Sequence, residues 1–462
     1  MGDFNEIVKE LLIEVSGEKI LPFSKRTGLD RTTIQRLING QKLPGLDFMK
    51  KFSDSLRITP IQRVELLELY KREKMGRYAY LTQKNICSVL ALFSLLSGKS
   101  ELPGAYEENF PIEEDEGADT EEAEDTIIIS SVSQVEQMIS HLLRRESRRG
   151  QQGQLSFNLP FQYEFFFRLL YSTFCKEGNH FNIKHLLYLH TEPLSKMNSF
   201  HNLEYMYHMV KTAIEVGANY QPFFYYSNVL FTDFSISILP YYLITSDRVL
   251  LLSYNHDSAI LFTRKGKYNL YKKKFDSLIQ ELPVFIRFLS NLTEVHEVIR
   301  KIVDQGISLT HSINGSLNSN AMLSSFHAGN FTTETKWFFY ENGVRDALEI
   351  GDIAAMASHE NEFHSTLGKK KAFAAVRARL YKEKNFYILR ESFKIDKALN
   401  IEIYDKNLVF FYFANPQDPK CMLIDEPGIC KIFYEFFETL YQTDFVFNEA
   451  ESVKILSALL SS

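Results

Sequence analysis

The sequence lacks the residues and runs that mark several protein classes. It has only four cysteines in 462 residues, and these form neither a CxxC pair nor a metal-ligand spacing: Cys87, Cys175, Cys421 and Cys430. This pattern fits buried thiols in a reducing cytoplasm and excludes a disulfide scaffold. No run of about 18 uninterrupted apolar residues occurs, so we expect no membrane span. The N-terminus has no basic start followed by an apolar run, so we expect no signal peptide and a cytoplasmic location.

Motifs for catalysis are missing as well. The sequence contains no G-x-S-x-G elbow, no phosphate-cradling G-x-x-x-x-G-K-[ST] and no G-x-G-x-x-G after a strand. His359, Glu360 and His364 spell H-E-x-x-x-H, but a metal-binding helix needs its histidines four residues apart, not five. Asp247 and Asp405 fall in predicted turns, where aspartate is favoured by its bond to the backbone. We therefore expect no enzyme activity, no cofactor and no metal ion. Three more histidines recur every five residues and are predicted to rotate around a helix: His180, His185 and His190.

What is present begins with helical periodicity near the N-terminus. Apolar residues recur on one helical stripe, at Phe4, Ile7, Val8, Leu11, Leu12 and Val15. The stretch FSKRTGLDRTTIQRLINGQKLP (23–44) then predicts a short helix ending at Gly28, where a left-handed conformation costs glycine little. Leu29 is expected in the core. Asp30 is a good N-cap for a second helix over 31–38, and Asn39-Gly40 closes that helix.

Two more helices follow, over 46–56 and from Thr59-Pro60, which makes five helices in about 75 residues. At these residues the sequence resembles the Xre/Cro-type repressor family, which has the lambda-repressor-like helix-turn-helix fold. The resemblance covers about residues 3 to 76. It is carried by LDRTTIQRLINGQKLP, which looks like the recognition helix, the Asn-Gly end and the following loop of that family. Lys19-Ile20 departs from the polar pair that often opens the family's second helix.

The resemblance implies that the helix over 31–38 enters the major groove of duplex DNA. We expect its outward side chains to contact base edges, namely Arg31, Thr32 and Gln35. We expect other polar residues to contact phosphates, namely Lys25, Arg36, Asn39 and Lys42. Residues 1–77 contain 15 Lys and Arg against 11 Asp and Glu, a net +4 in a chain whose net charge is −6. The alternative is that these are solvated charges on a helical module that binds another protein.

The region after the helix-turn-helix is predicted to be a connector and a linker. Residues 81–96 are apolar on most sides and predict a buried helix within a connector over 78–100. Eleven acidic residues and no basic ones lie between Glu107 and Asp125, which predicts an acidic linker over 101–130. A helix over 133–147 follows. It ends in four arginines, for which a second phosphate contact is the less favoured interpretation: Arg144, Arg145, Arg148 and Arg149.

The remainder contains an internal repeat. Residues 259–278 align without a gap on 421–440, so that Gly266 meets Gly428 and Phe275 meets Phe437. Upstream, 244–254 parallels 403–413, with Asp247 against Asp405, and 223–231 can be laid on 386–394. Helices are expected to precede each sheet, over 163–175 and 203–216 in the first copy and over 344–359 and 369–382 in the second.

The predicted fold class is α+β. An all-α helix-turn-helix domain (1–77) is followed by two related units, each a small antiparallel sheet with helices on one side (131–292 and 293–462). Aromatic residues make up 14% of the chain and are expected to fill cores, or else to line a ligand pocket.

We therefore expect a homodimeric transcriptional regulator that reads a palindromic operator, with a C-terminal half that senses a small-molecule or peptide effector or holds the dimer. The alternative is an antitoxin-like or assembly module that binds a protein partner and autoregulates through its helix-turn-helix. The aromatic run 223–226 should discriminate, because a closed cavity favours a sensor and an exposed patch favours a partner.

Overall fold

The computed structural model describes ten stretches of the chain: residues 2–92, 125–174, 181–190, 198–226, 238–289, 292–314, 331–350, 385–395, 399–413 and 420–459. The chain divides into two compact units, Met1–Asn85 and Ile86–Ser462. Among the helices of these stretches, none has the combined length and apolar character that crossing a membrane requires. The predicted acidic linker lies outside the described residues up to position 124.

The N-terminal unit is all-helical, as predicted. Its helices are α1 (Gly2–Glu10), α2 (Ile20–Thr27), α3 (Arg31–Ile38), α4 (Leu46–Ser55), α5 (Pro60–Met75) and the first part of α6 (Arg77–Leu92). A π-helical turn, Leu11–Val15, continues α1. The apolar stripe of α1 packs against Phe23, Ile34, Phe52 and Tyr70 in one closed core. From Ile86 onward α6 belongs to the second unit, where Ile86, Val89 and Leu90 are buried.

Local capping chemistry fixes where these helices begin. Thr59 accepts a hydrogen bond from the Gln62 amide at 3.2 Å, and the Gln62 side chain accepts one in return from the Thr59 amide at 3.0 Å. This reciprocal pair is a capping box, and Pro60 occupies the first helical position, where its missing N–H is not needed. The sequence prediction for the start of α5 is therefore confirmed.

In the part of the second unit that the structure describes, the strands form two sheets of seven strands each. The strands of the first sheet are β1 (Thr126–Ile129), β2 (Gln154–Phe157), β3 (Asn182–Leu189), β4 (Tyr220–Tyr226), β5 (Tyr241–Ile244), β6 (Val249–Leu252) and β7 (Ala259–Phe262). The helices of this first copy are α7 (Val132–Arg148), α8 (Glu164–Phe174), α9 (Asn198–Val216) and α10 (Lys265–Gln280).

The strands of the second sheet are β8 (Arg287–Leu289), β9 (Leu309–Asn314), β10 (Phe331–Tyr340), β11 (Phe386–Leu389), β12 (Leu399–Tyr404), β13 (Leu408–Phe413) and β14 (Lys420–Ile424). The helices of this second copy are α11 (Leu292–Asp304), α12 (Glu341–Ile350), α13 (Pro427–Leu440) and α14 (Glu449–Leu459).

The two sheets have the same topology, strand for strand. From one edge the first sheet runs β4-β3-β2-β5-β6-β7-β1, and the second runs β11-β10-β9-β12-β13-β14-β8. In both, the first three strands are mutually parallel, and every later neighbour is antiparallel. The predicted relation between the two copies is therefore confirmed at the level of topology. Asp247 and Asp405 lie in the corresponding hairpin turns, β5–β6 and β12–β13.

The correspondence extends to how each sheet edge is closed. Phe223 of β4 pairs with Val284, and Leu389 of β11 pairs with Val446. Both valines follow the equivalent helix, and Val446 lies 162 positions after Val284, the same offset that relates Gly428 to Gly266. The predicted alignment of 259–278 on 421–440 thus agrees with the structure. The alignment of 223–231 on 386–394 was three residues out of register, since Phe223 corresponds to Leu389 and not to Phe386.

Two details of the predicted sheets are wrong. The sheets are mixed and not antiparallel, because α8 and α9 lie between strands and return the chain so that β2, β3 and β4 run in the same direction. For the same reason the helices do not all precede a sheet. In the second copy the structure gives 341–350 as α12, and the predicted helix over 369–382 lies outside the described residues.

The helices also cover both faces of a sheet, contrary to the prediction of one. Because side chains alternate along a strand, Leu186 and Leu187 of β3 point to opposite faces. Leu186 packs with Tyr268 and Phe275 of α10. Leu187 belongs to a larger cluster that includes residues of α7, α8 and α9 and also residues of the second sheet, such as Ile401. The two sheets therefore share one hydrophobic core.

The histidine predictions have mixed outcomes. His185 lies on strand β3 and not on a helix, so the spacing of five residues does not turn it around a helical axis. It is fully buried, and its ring nitrogens lie 2.8 Å from the Tyr220 hydroxyl and 3.0 Å from the Leu159 carbonyl. His180, His359 and His364 lie outside the described residues.

Candidate nucleic-acid interface

The turn between α2 and α3 is held by its own backbone and by the Ser24 side chain. Gly28 ends α2 in the left-handed conformation, with φ +71°, and its amide donates to the Ser24 carbonyl at 2.9 Å. The Ser24 hydroxyl donates to the carbonyl of Leu29 at 2.7 Å, and the Leu29 side chain is buried. These bonds therefore fix the path of the backbone between α2 and α3.

Helix α3 begins at a capped N-terminus. The Asp30 carboxylate accepts from the backbone amide of Thr33 at 2.6 Å and from the Thr33 hydroxyl at 2.7 Å. These bonds hold the pKa of Asp30 below its usual value. The cap satisfies an amide that would otherwise lack a partner, which is the reason that aspartate favours this position.

The inner and outer faces of α3 are separated as predicted. Ile34, Leu37 and Ile38 are buried in the core of the N-terminal unit. All seven residues predicted to contact DNA are exposed: Lys25, Arg31, Thr32, Gln35, Arg36, Asn39 and Lys42. Six of them lie on α3 or directly after it, and Lys25 lies on α2.

The outer face of α3 carries two rows of polar side chains. Arg31, Gln35 and Asn39 follow one another at intervals of four residues, and Thr32 and Arg36 form a second row beside them. At 100° per residue the two rows span about 140° of the helix surface. The side chains of Arg31, Thr32 and Gln35 form no hydrogen bond or ion pair with other residues of the described stretches. Their donors and acceptors are available to an external molecule.

The C-terminal end of α3 lies close against α1. Gly40 has φ +67°, and a Cβ atom at this position would lie 2.1 Å from Nδ2 of Asn5. The backbone conformation therefore favours glycine, and a larger residue would also displace the Asn5 side chain. The next amide, of Gln41, donates to the Arg36 carbonyl at 2.8 Å and completes the turn.

Two supporting contacts were not predicted from the sequence. Arg26, next to the predicted contact Lys25, donates twice to the Glu18 carboxylate, at 2.8 and 3.1 Å, and once to the Ser55 carbonyl at 2.8 Å. The Tyr70 hydroxyl of α5 donates to the Pro44 carbonyl at 2.7 Å and anchors the loop after α3. Neither contact follows from helical spacing, because its partners lie in different elements.

The aromatic run 223–226 forms neither a closed cavity nor an exposed patch. It therefore does not discriminate between a ligand sensor and a protein that binds a partner. Phe223 and Phe224 are buried, and they belong to the clusters on opposite faces of the first sheet. The Tyr226 hydroxyl donates to the Glu426 carboxylate of the second copy. The run therefore contributes to packing.

Two of the four arginines at the end of α7 are engaged within the protein. Arg145 and Arg149 each donate to Oδ2 of Asp247 at 2.7 Å. Between them, the buried Glu146 accepts from the Gln154 amide at 2.8 Å. These contacts tie α7 to the β5–β6 turn. In the described stretches no group of three His, Cys, Asp or Glu side chains is placed to hold a metal ion.

No family model and no curated protein matches the chain. Among solved structures, TrmBL2, an archaeal chromatin protein with a novel mode of DNA binding, is 12% identical with a TM-score of 0.21, over 49% of this chain and 70% of its own. Polyphosphate kinase from Porphyromonas gingivalis is 9% identical with a TM-score of 0.21, over 73% of this chain and 56% of its own. Likenesses at this level carry no argument about function.

Proposed function

We propose that the N-terminal unit binds duplex DNA through the outer face of α3, as in the Xre/Cro-type repressors that it resembles, and that the protein is a transcriptional regulator and not an enzyme. The observation that carries this proposal is the outer face itself. Helix α3 is capped at its start and lies close against Asn5 of α1 at its end. Its outward side chains Arg31, Thr32 and Gln35 have no partners among the described residues.

These three side chain types suit base edges in the major groove. Arginine pairs bidentately with guanine, glutamine pairs with adenine, and the threonine methyl group contacts the thymine methyl group. Lys25, Arg36, Asn39 and Lys42 would bind phosphates and set the register of the helix. A rigid α3 lowers the entropy that is lost when these contacts form.

A homodimer would read a palindromic operator whose half-sites lie about one helical turn apart. In this proposal the second unit holds the two chains together or senses an effector. An effector that favours one arrangement of the second units would change the spacing of the two copies of α3, and so the affinity for the operator.

The test is capture of genomic DNA fragments by the full-length protein, followed by sequencing. Wild type is compared with the double variant Arg31→Ala/Gln35→Ala and with Lys50→Ala/Lys51→Ala, a control that removes two exposed cations from α4. Each base contact contributes about 1–3 kcal/mol of discrimination, so the α3 variant should lose the wild-type sites. The control should keep them. Equal recovery of the same sites by both double variants would show that α3 does not read the sequence.

A further inference from the structure

A cleft of about 460 Å³ opens on the first copy of the second unit. It lies where the end of α7, the β5–β6 turn and the start of α10 meet. Its lining residues are Asp125, Arg145, Ser246, Asp247, Arg248, Thr263, Arg264, Lys265 and Tyr268. This volume is within the range of sites that take small molecules.

The charge of the lining is positive. Four of the nine side chains are basic and two are carboxylates. Both carboxylates are engaged by lining arginines, Asp247 by Arg145 at 2.7 Å and Asp125 by Arg264 at 3.0 Å. The formal net charge of the lining is therefore +2, which favours an anion in the cleft.

The start of α10 adds backbone donors to the cleft. Residue 264 is the N-cap of α10 and is an arginine, which provides no side-chain cap for the first amides of the helix. A Cβ atom built on Gly266 would meet nothing within 4 Å, so the space beside these amides is open. Free amides at a helix start attract negative charge.

The second copy shows an anion at the corresponding place. Arg264 corresponds to Glu426 by the offset of 162 positions. The Glu426 carboxylate is buried, and it accepts from the amides of Gly428 at 3.0 Å and Ile429 at 2.6 Å at the start of α13. In the second copy the protein supplies the anion itself. In the first copy Arg264 stands at the position of Glu426. A cleft lies where, in the second copy, the carboxylate accepts from the amides of the helix.

The first half of α10 is basic, and the corresponding part of α13 is not. Between positions 264 and 274 the first copy has six basic residues and no acidic one. The corresponding residues of the second copy include no base: Glu426, Pro427, Ile429, Tyr434, Glu435 and Phe436. Lys267 and Lys272 are bonded to Thr126 and Gln154 of the first sheet, so the contrast that bears on the cleft is the one at its lining, Arg264 and Lys265.

We propose that this cleft binds a phosphorylated small molecule of nucleotide size. The phosphate group lies at the start of α10, where it accepts from the free amides and from Arg248, Arg264 and Lys265. Charge-assisted bonds from arginine to phosphate are short and strong, which suits a ligand with two negative charges. The proposal does not depend on DNA binding by the N-terminal unit.

The test is isothermal titration of the full-length protein with inorganic phosphate, pyrophosphate and ADP. Wild type should bind pyrophosphate or ADP at one site per chain. Arg248→Ala and Lys265→Ala should each weaken binding about tenfold, the effect of removing one hydrogen bond to a charged group. Arg264→Glu places a carboxylate where the second copy has one, and it should abolish binding. The control Lys273→Ala/Lys274→Ala removes two exposed charges of α10 outside the cleft, and it should bind as wild type does.

Thermal melting followed by circular dichroism checks that each variant is folded. Failure of wild type to bind any of the three compounds at millimolar concentration would overturn the proposal. Equally weakened binding by the control variant would also overturn the proposal, because the anion would then be attracted by the overall positive charge of α10 and not bound in the cleft. If only duplex DNA bound, and its binding required Arg248 and Lys265, the cleft would be a second DNA contact and the proposal of a small ligand would be wrong.

Discussion

Oδ2 of Asp30 lies 2.6 Å from the backbone nitrogen of Thr33, so one carboxylate fixes the first turn of α3. The residues proposed to read DNA begin one position later, at Arg31. The cap therefore controls the order of the proposed contact surface without contacting DNA itself. Because Asp30 is not itself a proposed DNA contact, the role of the cap can be tested by stability measurements alone.

Replacement of the cap should loosen α3. Asp30→Ala removes the acceptor of the Thr33 amide, so amides in the first turn of α3 should exchange hydrogen faster, while α4 and α5 change little. Hydrogen exchange with mass spectrometry on the full-length protein measures this. Asp30→Asn is the matched control, since asparagine also caps, and it should remain close to wild type.

The contribution of this cap should also depend on pH with a definite sign. Because the pKa of Asp30 in the folded protein is lowered from 3.8, the carboxylate stabilises the folded state above that value. The stabilisation is lost as the pH falls through the folded pKa. The difference in exchange between wild type and Asp30→Ala should shrink below pH 3.8, and a constant difference would contradict the assignment.

Two glycines of the helix-turn-helix should differ in their tolerance of alanine. Gly28→Ala places a side chain at φ +71° in open space, which costs about 1 kcal/mol of conformational strain. Gly40→Ala adds a clash with Asn5 to a similar strain at φ +67°, so it should cost more. Exchange protection across residues 2–75 compares the two. Equal losses of protection would show that Asn5 moves aside freely.

The proposed phosphate contacts should appear in the salt dependence of DNA binding. Lys25→Ala or Lys42→Ala should reduce the slope of log K against log salt by about one and weaken binding to all sequences alike. Fluorescence anisotropy at several salt concentrations measures the slope. A loss of affinity with an unchanged slope, or a loss confined to one sequence, would remove these lysines from the phosphate contacts.

Buried histidines should make the second unit less stable in acid. Burial lowers the pKa of His185 to about 3 and the pKa of His311 to about 4, although the Glu438 carboxylate lies 3.1 Å from His311. The unfolded chain takes up these protons near pH 6.5, whereas the folded chain does not. The free energy of unfolding should therefore fall as the pH drops from 6.5 to about 4, by about 1.4 kcal/mol per pH unit for each histidine.

Urea unfolding provides this measurement, because the single tryptophan, Trp337, is buried in the second sheet and reports on this unit. His185→Gln should make the pH dependence shallower by about 1.4 kcal/mol per pH unit, whatever it costs at pH 7. The control Asn182→Gln, at an exposed position at the start of the same strand, changes no titratable group and should keep the wild-type slope. An unchanged slope in His185→Gln would mean that this side chain titrates alike in both states.

The features predicted correctly from the sequence depend on residues that are close along the chain. Asp30 and Gly28 set the ends of helices through bonds to residues three and four positions away, and the apolar positions of α3 follow from its period. The exposure of the seven proposed contact residues follows from the same period. Their roles toward DNA stay predictions.

The features that sequence reasoning missed depend on distant partners. The pairing of β2 with β3 and β5 joins segments about 30 and 90 residues apart, and no local pattern specifies which neighbour is parallel. The anchoring of Pro44 by Tyr70 is of the same kind. The repeat was found because glycine and apolar positions recur at one offset, but Arg264 and Lys265 of the cleft were missed because they have no basic counterpart in the second copy.

The shared topology of the two copies has a consequence for how substitutions are tolerated. Leu270 is 60% exposed and Leu278 is 43% exposed on α10, whereas the corresponding Ile432 and Leu440 of α13 are 9% and 0% exposed. Polar replacement should therefore be harmless at the first pair and damaging at the second, since only the second would bury an unpaired polar group. The two copies share one strand order but differ in which positions accept a polar side chain. The substitutions that one copy tolerates therefore do not predict those that the other tolerates.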